Sequence, residues 1–339
     1  KPISRPVRRG LILFFLTVAL ASILHLALWA MQSYQSGKVQ DGLEQLYHQG
    51  GLTIGQSDPN QEVQEEASTE GAEDNAGGTS TEDANAGISF EPVMLPEYRK
   101  LYEINSDIVG WLNIGDGLLS TPVMQRDNEY YLTHNFYGEE DNHGQVFLDE
   151  RNSPDLSDDT ILYGHNITSD RSMFNILTRY KDTEFAAEHP VIQLNTLYNR
   201  YQYAVAAVYI VSTRPEHGEL FDYISYLKFS TRDAKQAYIA QIQKRSLIDT
   251  GVKMTADDRL LTLSTCTYEF KDARFVLVAR RVRDGEDTKV DVEQAVVNDD
   301  AYYPAVYAGA AEYAKKLGKV KSITIDGQRE ITLEVGQTA

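Results

Sequence analysis

The stretch Leu260-Leu261-Thr262-Leu263-Ser264-Thr265-Cys266, followed after a short gap by Arg274-Phe275-Val276-Leu277-Val278, sets the architecture expected of this chain. Strand alternation puts Leu261, Leu263 and Thr265 on one face and Thr262, Ser264 and Cys266 on the other. The thiol therefore ends a strand on its more polar face, whereas a buried structural cysteine would sit more naturally with Leu261 and Leu263. Paired as an antiparallel hairpin, the two runs bring Cys266 and Arg274 together at one rim of a sheet. A third run, Ile161-Leu162-Tyr163-Gly164-His165-Asn166, ends in the same way: an apolar strand gives out at a polar residue, and Gly164 permits close backbone approach. Of seven histidines, His165 alone ends a strand in this pattern, while His134, His143, His189 and His217 fall in loop-like surroundings.

Working outward, short β-rich runs alternate with Gly, Asn and Asp clusters from Trp111 onward. They include Thr121 to Met124, Gln145 to Leu148, Thr160 to His165, Val191 to Leu194, Tyr201 to Val211, Arg259 to Thr265 and Arg274 to Val282. Many short strands with few helices predict a mainly β fold, a closed barrel or a sandwich. Two helical patterns interrupt it. Leu95-Pro96-Glu97 opens one, with Leu101, Ile104 and Ile108 spaced to share a face. Ser230 with Asp233 resembles a capping box for the other, in which Ala234, Tyr238 and Ile242 follow at helical spacing.

The N-terminal part is a different material. Leu11 to Met31 is an apolar run with no formal charge, and a helix of that length matches a bilayer's hydrocarbon core, roughly 30 Å. Lys1, Arg5, Arg8 and Arg9 precede it, so residues 1–10 are expected as a cytoplasmic tail and everything after Met31 outside. The run is longer than a usual signal-peptide core, and no clear small-x-small cleavage site follows it. The chain begins at Lys1 rather than Met, so residues before it are expected to be missing. Residues 32–91 read as a membrane-proximal segment and a disordered acidic stalk: between Gln61 and Phe90 there are eight acidic residues and no Lys or Arg. Cutting that stalk is expected to release a soluble domain. Residues 92–283 then form the ordered domain, and 284–339 a C-terminal extension with a helix from Tyr303 to Gly318. Its hairpin, Ser322 to Val335, turns at Asp326-Gly327.

Composition narrows the function classes. The formal net charge of −18 leaves no excess of Lys and Arg to displace phosphate counterions, which argues against a nucleic-acid partner. Cys266 is the single cysteine, so no intrachain disulfide can form and no multi-thiolate metal site is available. No metal or cofactor is expected.

Together, Thr-Leu-Ser-Thr-Cys266 with Arg274-Phe-Val-Leu-Val downstream and Leu-Tyr-Gly-His165-Asn upstream resemble the sortase family, specifically class B. The likeness extends to Asp107-Ile-Val-Gly-Trp111-Leu and Asp127-Asn128-Glu-Tyr-Tyr-Leu132, and the helix between Ser230 and Ile248 is similar to the class B insertion. It covers roughly Pro92 to Arg283. The resemblance implies a closed β-barrel of about eight strands with peripheral helices, preceded by one transmembrane helix. It implies Cys266 as nucleophile, His165 as general acid/base, and Arg274 as the group that holds the substrate carbonyl or its oxyanion. Tyr163, Asn128, Leu132, Ser264 and Thr265 match substrate-groove positions. The partners it implies are exported proteins bearing a C-terminal sorting motif, and an amine acceptor on a peptidoglycan precursor or a pilin. Thr267 departs from the pattern, since some class B members carry an acid directly after the nucleophile, and so does the long C-terminal extension.

The chemistry of the residues agrees. An ordinary thiol, with pKa about 8.5, is only a few per cent thiolate at neutral pH. A strand end lacks the helix N-terminus that activates many catalytic thiols, so cationic neighbours must supply the activation. A secreted cysteine protease that releases the acyl group to water shares these residues. A surface adhesin on a membrane stalk, with Cys266 inert, is the reading from another class.

Overall fold

The computed structural model describes residues 5–52, 92–153, 155, 157–286, 295–307, 323–325 and 329–331. Eight strands close a barrel: β1 (Ile108–Ile114), β2 (Leu119–Met124), β3 (Val146–Leu148), β4 (Asp159–Tyr163), β5 (Val191–Thr196), β6 (Arg200–Ser212), β7 (Leu260–Thr267) and β8 (Ala273–Arg281). Their order around the barrel is β1-β2-β3-β4-β7-β8-β6-β5. The β2–β3 and β4–β7 pairs are parallel, the rest antiparallel. Alternation explains the filling. Leu261, Leu263, Leu162, Leu277 and Phe275 point into one buried cluster with Leu112, Leu194 and Val208. The opposite face of β6, β7 and β8 is also covered, by Tyr238, Ile239 and Ile242 of α4 (Arg232–Arg245), which explains why these strands read as almost unbroken apolar runs.

The register of β4 against β7 is pinned by a buried polar pair. Leu260 stands opposite Asp159, and the Thr262 hydroxyl donates to the Asp159 carboxylate at 2.9 Å. Burial pushes the Asp159 carboxyl up to about 7, while Thr262, Tyr238 and Lys235 pull it back. The Tyr238 hydroxyl donates to it at 3.2 Å, tying α4 to the same point. Helix α4 begins one residue later than its sequence suggests: Thr231, not Ser230, accepts the Ala234 amide as N-cap.

The helical lead-in is shorter than its periodicity suggests. A 3₁₀ turn, Pro96–Tyr98, runs into α2 (Arg99–Ile104); Tyr98 and Leu101 are buried, Ile104 is exposed, and Ile108 already belongs to β1. The remaining α-helix, α3 (Thr183–Glu188), is capped by Asp182.

The N-terminal helix differs most from expectation. α1 runs unbroken from Arg5 to Leu52, so the segment after Met31 continues as helix and docks on the barrel instead of beginning a stalk. Leu43 and Tyr47 are buried, Tyr47 stacks on Trp111 at 4.2 Å, and the Asn195 amide donates to the Tyr47 hydroxyl at 2.9 Å. Gly50 is required by close approach: a Cβ there would lie 2.7 Å from the Glu97 Cα. Ser36 donates to Asp141 at 2.6 Å. The acidic stretch and its stalk reading fall at 53–91, outside the described residues.

In the C-terminal extension, Val296–Val297 pairs with Ile248–Asp249, and Tyr303 and Tyr307 pack with Phe270 against the main core. Ile323–Ile325 and Arg329–Ile331 form the two strands of the expected hairpin. Its Asp326-Gly327 turn and most of the expected Tyr303–Gly318 helix lie outside the described residues.

Asp141 also receives His143, whose other ring nitrogen lies 2.7 Å from Asp170. Asp141 and then Asp170 raise His143 to about 9 against the opposing effect of burial. A raised folded-state pKa stabilises fully below the unfolded value near 6.5 and loses that contribution as pH rises through about 9. Unfolding free energy should therefore fall between pH 6.5 and 9 by on the order of 3 kcal/mol. His143→Gln should flatten that slope in denaturant titrations, and an unchanged slope would contradict the assignment.

Candidate active site

The hairpin register sets the first contact: Cys266 of β7 is the direct partner of Arg274 in β8. β4 runs parallel to β7 with Tyr163 opposite Ser264, so the residues leaving β4, Gly164 and His165, emerge at the rim where Cys266 sits. A cleft of about 790 Å³ opens there. Cys266, His165, Arg274, Tyr163, Ser264, Thr265, Asn128 and Leu132 all line it.

Each is held by a local bond. His165 Nε2 lies 2.8 Å from the Leu132 carbonyl, which can only accept, so Nε2 carries a hydrogen and Nδ1 is the exchangeable position. The His165 carbonyl accepts the Phe174 amide, and the Phe174 ring lies so close to Gly164 that an added Cβ would stand 3.0 Å from it. That ring contact is the close approach Gly164 allows. The Cys266 carbonyl accepts from the Asn166 side-chain amide at 2.9 Å, and Asn166 is itself fixed by Asn175 at 2.6 Å. Thr265, on the opposite face of β7, donates to the Gly164 carbonyl and so joins the two rim loops. Asn128 accepts the Glu150 amide. Tyr163 donates to Asp149; burial works against that carboxylate, but bonds from Arg151 and Tyr163 outweigh it and hold it below its usual range. Thr267 donates to Glu269, which pairs with Lys181 at 2.8 Å, so an acid lies near the rim although it does not directly follow Cys266.

The sequence reading missed one wall. Leu220, Phe221, Tyr223 and Ile224, from the loop between β6 and α4, complete the cleft. Tyr223 is buried, and its hydroxyl lies 2.7 Å from that of Ser264. Burial raises its phenol above the usual range, with the Ser264 bond and the Arg274 charge pulling back. The cluster Leu220-Phe221-Asp222-Tyr223-Ile224, apolar and aromatic within a connection, was the signal available. Asn166 was also missed: it reads as a loop residue, and its bond to Cys266 spans about a hundred positions.

The comparisons with known proteins follow this geometry. The sortase-domain family profile matches residues 114–282. Sortase B of Listeria monocytogenes is 35% identical over 213 residues, covering 62% of this chain and 83% of its own length. Sortase B of Staphylococcus aureus is 33% identical over 194 residues, covering 56% and 75%. The chain belongs to the sortase family, class B. Among solved structures, a Staphylococcus aureus sortase B–substrate complex matches with TM-score 0.58 at 26% identity, covering 75% of this sortase and 99% of that chain. Sortase B of Bacillus anthracis in complex with AAEK1 matches with TM-score 0.55 at 27% identity, covering 75% and 99%. Such relatives imply a cysteine transpeptidase.

The buried Tyr223–Ser264 pair gives a direct check. Tyr223→Phe should cost about 1–3 kcal/mol of stability by leaving the Ser264 hydroxyl without its partner. Adding Ser264→Ala should cost less than the sum of the two single changes. Strict additivity in denaturant unfolding would show that the hydroxyls are not coupled.

Proposed function

We propose that this sortase is a membrane-anchored, cell-surface enzyme that cleaves a C-terminal sorting motif of exported proteins after Thr. It passes the acyl group to an amine, on a peptidoglycan precursor or a pilin Lys. The observation that carries the reading is the convergence of Cys266, Arg274 and His165 from three strand ends on one cleft.

In this reading the Cys266 thiolate attacks the Thr carbonyl carbon. Arg274 donates hydrogen bonds to the oxyanion that develops, the role backbone amides play in other acyl transferases. The scissile C–N bond then breaks; His165 delivers the proton to the departing amine through Nδ1, and a thioester remains on Cys266. An acceptor amine attacks that thioester, His165 takes its proton, and the thiolate leaves. The apolar wall of Leu132, Leu220, Ile224 and Phe147 holds the motif's aliphatic side chains, while Asn128, Tyr163, Ser264 and Thr265 border its polar side. A sortase B structure titled as complexed with triglycine, 33% identical to this chain with TM-score 0.50, supports a peptide amine as acceptor.

The described part of α1 from Leu11 onward is long and apolar enough to cross a membrane. With the basic residues ahead of it, it places the N-terminus in the cytoplasm and the barrel outside, on the side where exported substrates emerge.

The test is peptide cleavage with and without an amine acceptor. Cys266→Ala should abolish both cleavage and transfer while leaving the fold intact. Arg274→Lys keeps the charge but loses the planar fork, so kcat/KM should fall by at least about tenfold. Cleavage retained by Cys266→Ala would overturn the reading, and a near wild-type rate in Arg274→Lys would remove Arg274 from its role. Cleavage that an amine neither accelerates nor diverts would indicate the hydrolytic protease instead.

A further inference from the structure

We propose that the catalytic end of the barrel faces the bilayer, clamped there by the second half of α1. Residues 53–91 then do not connect the anchor to the enzyme. The inference rests on the reading that Leu11 to Met31 crosses a membrane, and goes beyond it by fixing which end of the barrel lies against the lipid.

Strand directions define the two ends. Cys266 lies at the C-terminal end of β7, and β4 runs parallel to β7. β3 is antiparallel to β4 and parallel to β2. The start of β2, the β1–β2 turn and the loop entering β3 therefore all lie at the catalytic end. The contacts of α1 follow that axis in order. Gln32 accepts from Asn142, Ser36 donates to Asp141, and Gln40 donates to the Ser120 carbonyl, all at the catalytic end. Tyr47 stacks on Trp111 in the middle of β1, and Gly50 abuts Glu97, ahead of β1 at the far end. At about 1.5 Å per residue, α1 climbs roughly 27 Å from Gln32 to Gly50 along the barrel.

The apolar run stops at Met31, and the first barrel contact is made by Gln32. The helix is unbroken between them, so it leaves the bilayer already beside the catalytic end. The same end is braced internally. His143 bridges Asp141, beside α1, to Asp170 at the tip of the short hairpin formed by Asn166–Ile167 and Ser172–Met173. The hairpin's Asn166 holds the Cys266 carbonyl.

The chain that leaves α1 after Leu52 returns beside it: Gly50 touches Pro96 and Glu97, only a few residues into the returning segment. A cut within 53–91 therefore severs the backbone but leaves both pieces in contact through buried Leu43 and Tyr47. This reverses the outcome expected of a stalk.

The experiment uses the full chain with Cys266→Ala, which removes its single thiol, in vesicles carrying a headgroup acceptor dye. A donor fluorophore is attached at Leu118→Cys, in the β1–β2 turn at the catalytic end, or at Ile104→Cys, at the far end; both positions are exposed. Transfer to the membrane should be several-fold stronger from 118 than from 104. After a site-specific protease cuts a recognition sequence placed within 53–91, the barrel should still sediment with the vesicles. Equal transfer from the two positions, the reverse order, or release of the barrel on cutting would overturn the proposal. Wild-type protein in the same vesicles is assayed for peptide cleavage. Activity with equal transfer rejects the orientation alone, whereas strong transfer from 118 without activity rejects the catalytic reading alone.

Discussion

The register of β7 between β4 and β8 is the constraint on which the rest depends. Because side chains alternate along a strand, a slip of one residue would turn Ser264 and Cys266 to the other face and expose Leu261 and Leu263. Two features oppose that slip. The apolar face of β7 is buried among residues from every side of the barrel. On the other face, Thr262 bonds a fully buried Asp159 that would otherwise be left without that donor. Tyr238 reaches the same carboxyl, so the helix inserted ahead of β7 also stabilises the register that places the thiol.

From that register the site follows with little further specification. Hairpin pairing sets Cys266 opposite Arg274, and parallel pairing brings the end of β4 to the same rim. What remains is orientation of single groups, and backbone atoms supply much of it. The Leu132 carbonyl selects the histidine nitrogen that carries a hydrogen, and Asn166 fixes the peptide of the cysteine. The loop wall containing Tyr223 closes over an otherwise open strand end, which gives an extended peptide a groove instead of a flat edge.

Much of this was legible in the sequence because it is local or periodic. The strand runs, the apolar helix and the polar strand ends are each written within a dozen residues. The eight residues named from sequence do line one cleft, since strand pairing converts short local patterns into proximity. What was not legible depends on distant partners. The second half of α1 carries Gln, Ser, Gly and Asp among its apolar positions, and only the barrel surface reveals that Leu43 and Tyr47 are buried. His143 read as an ordinary loop histidine because its two carboxylates converge only after the loop before β3 folds against the hairpin following β4. Ile104 was misplaced for the opposite reason: its spacing suits a helix that the chain abandons for β1.

The central claim is that the strand-end thiol forms a covalent acyl intermediate. Intact-protein mass spectrometry of the wild-type enzyme, quenched in acid during turnover of a Thr-terminated sorting peptide, tests it directly. The account predicts an adduct with the mass of the N-terminal peptide fragment, mapped to Cys266, that disappears when an amine acceptor is added. Steady cleavage with no adduct on Cys266, or an adduct on another residue, would contradict it.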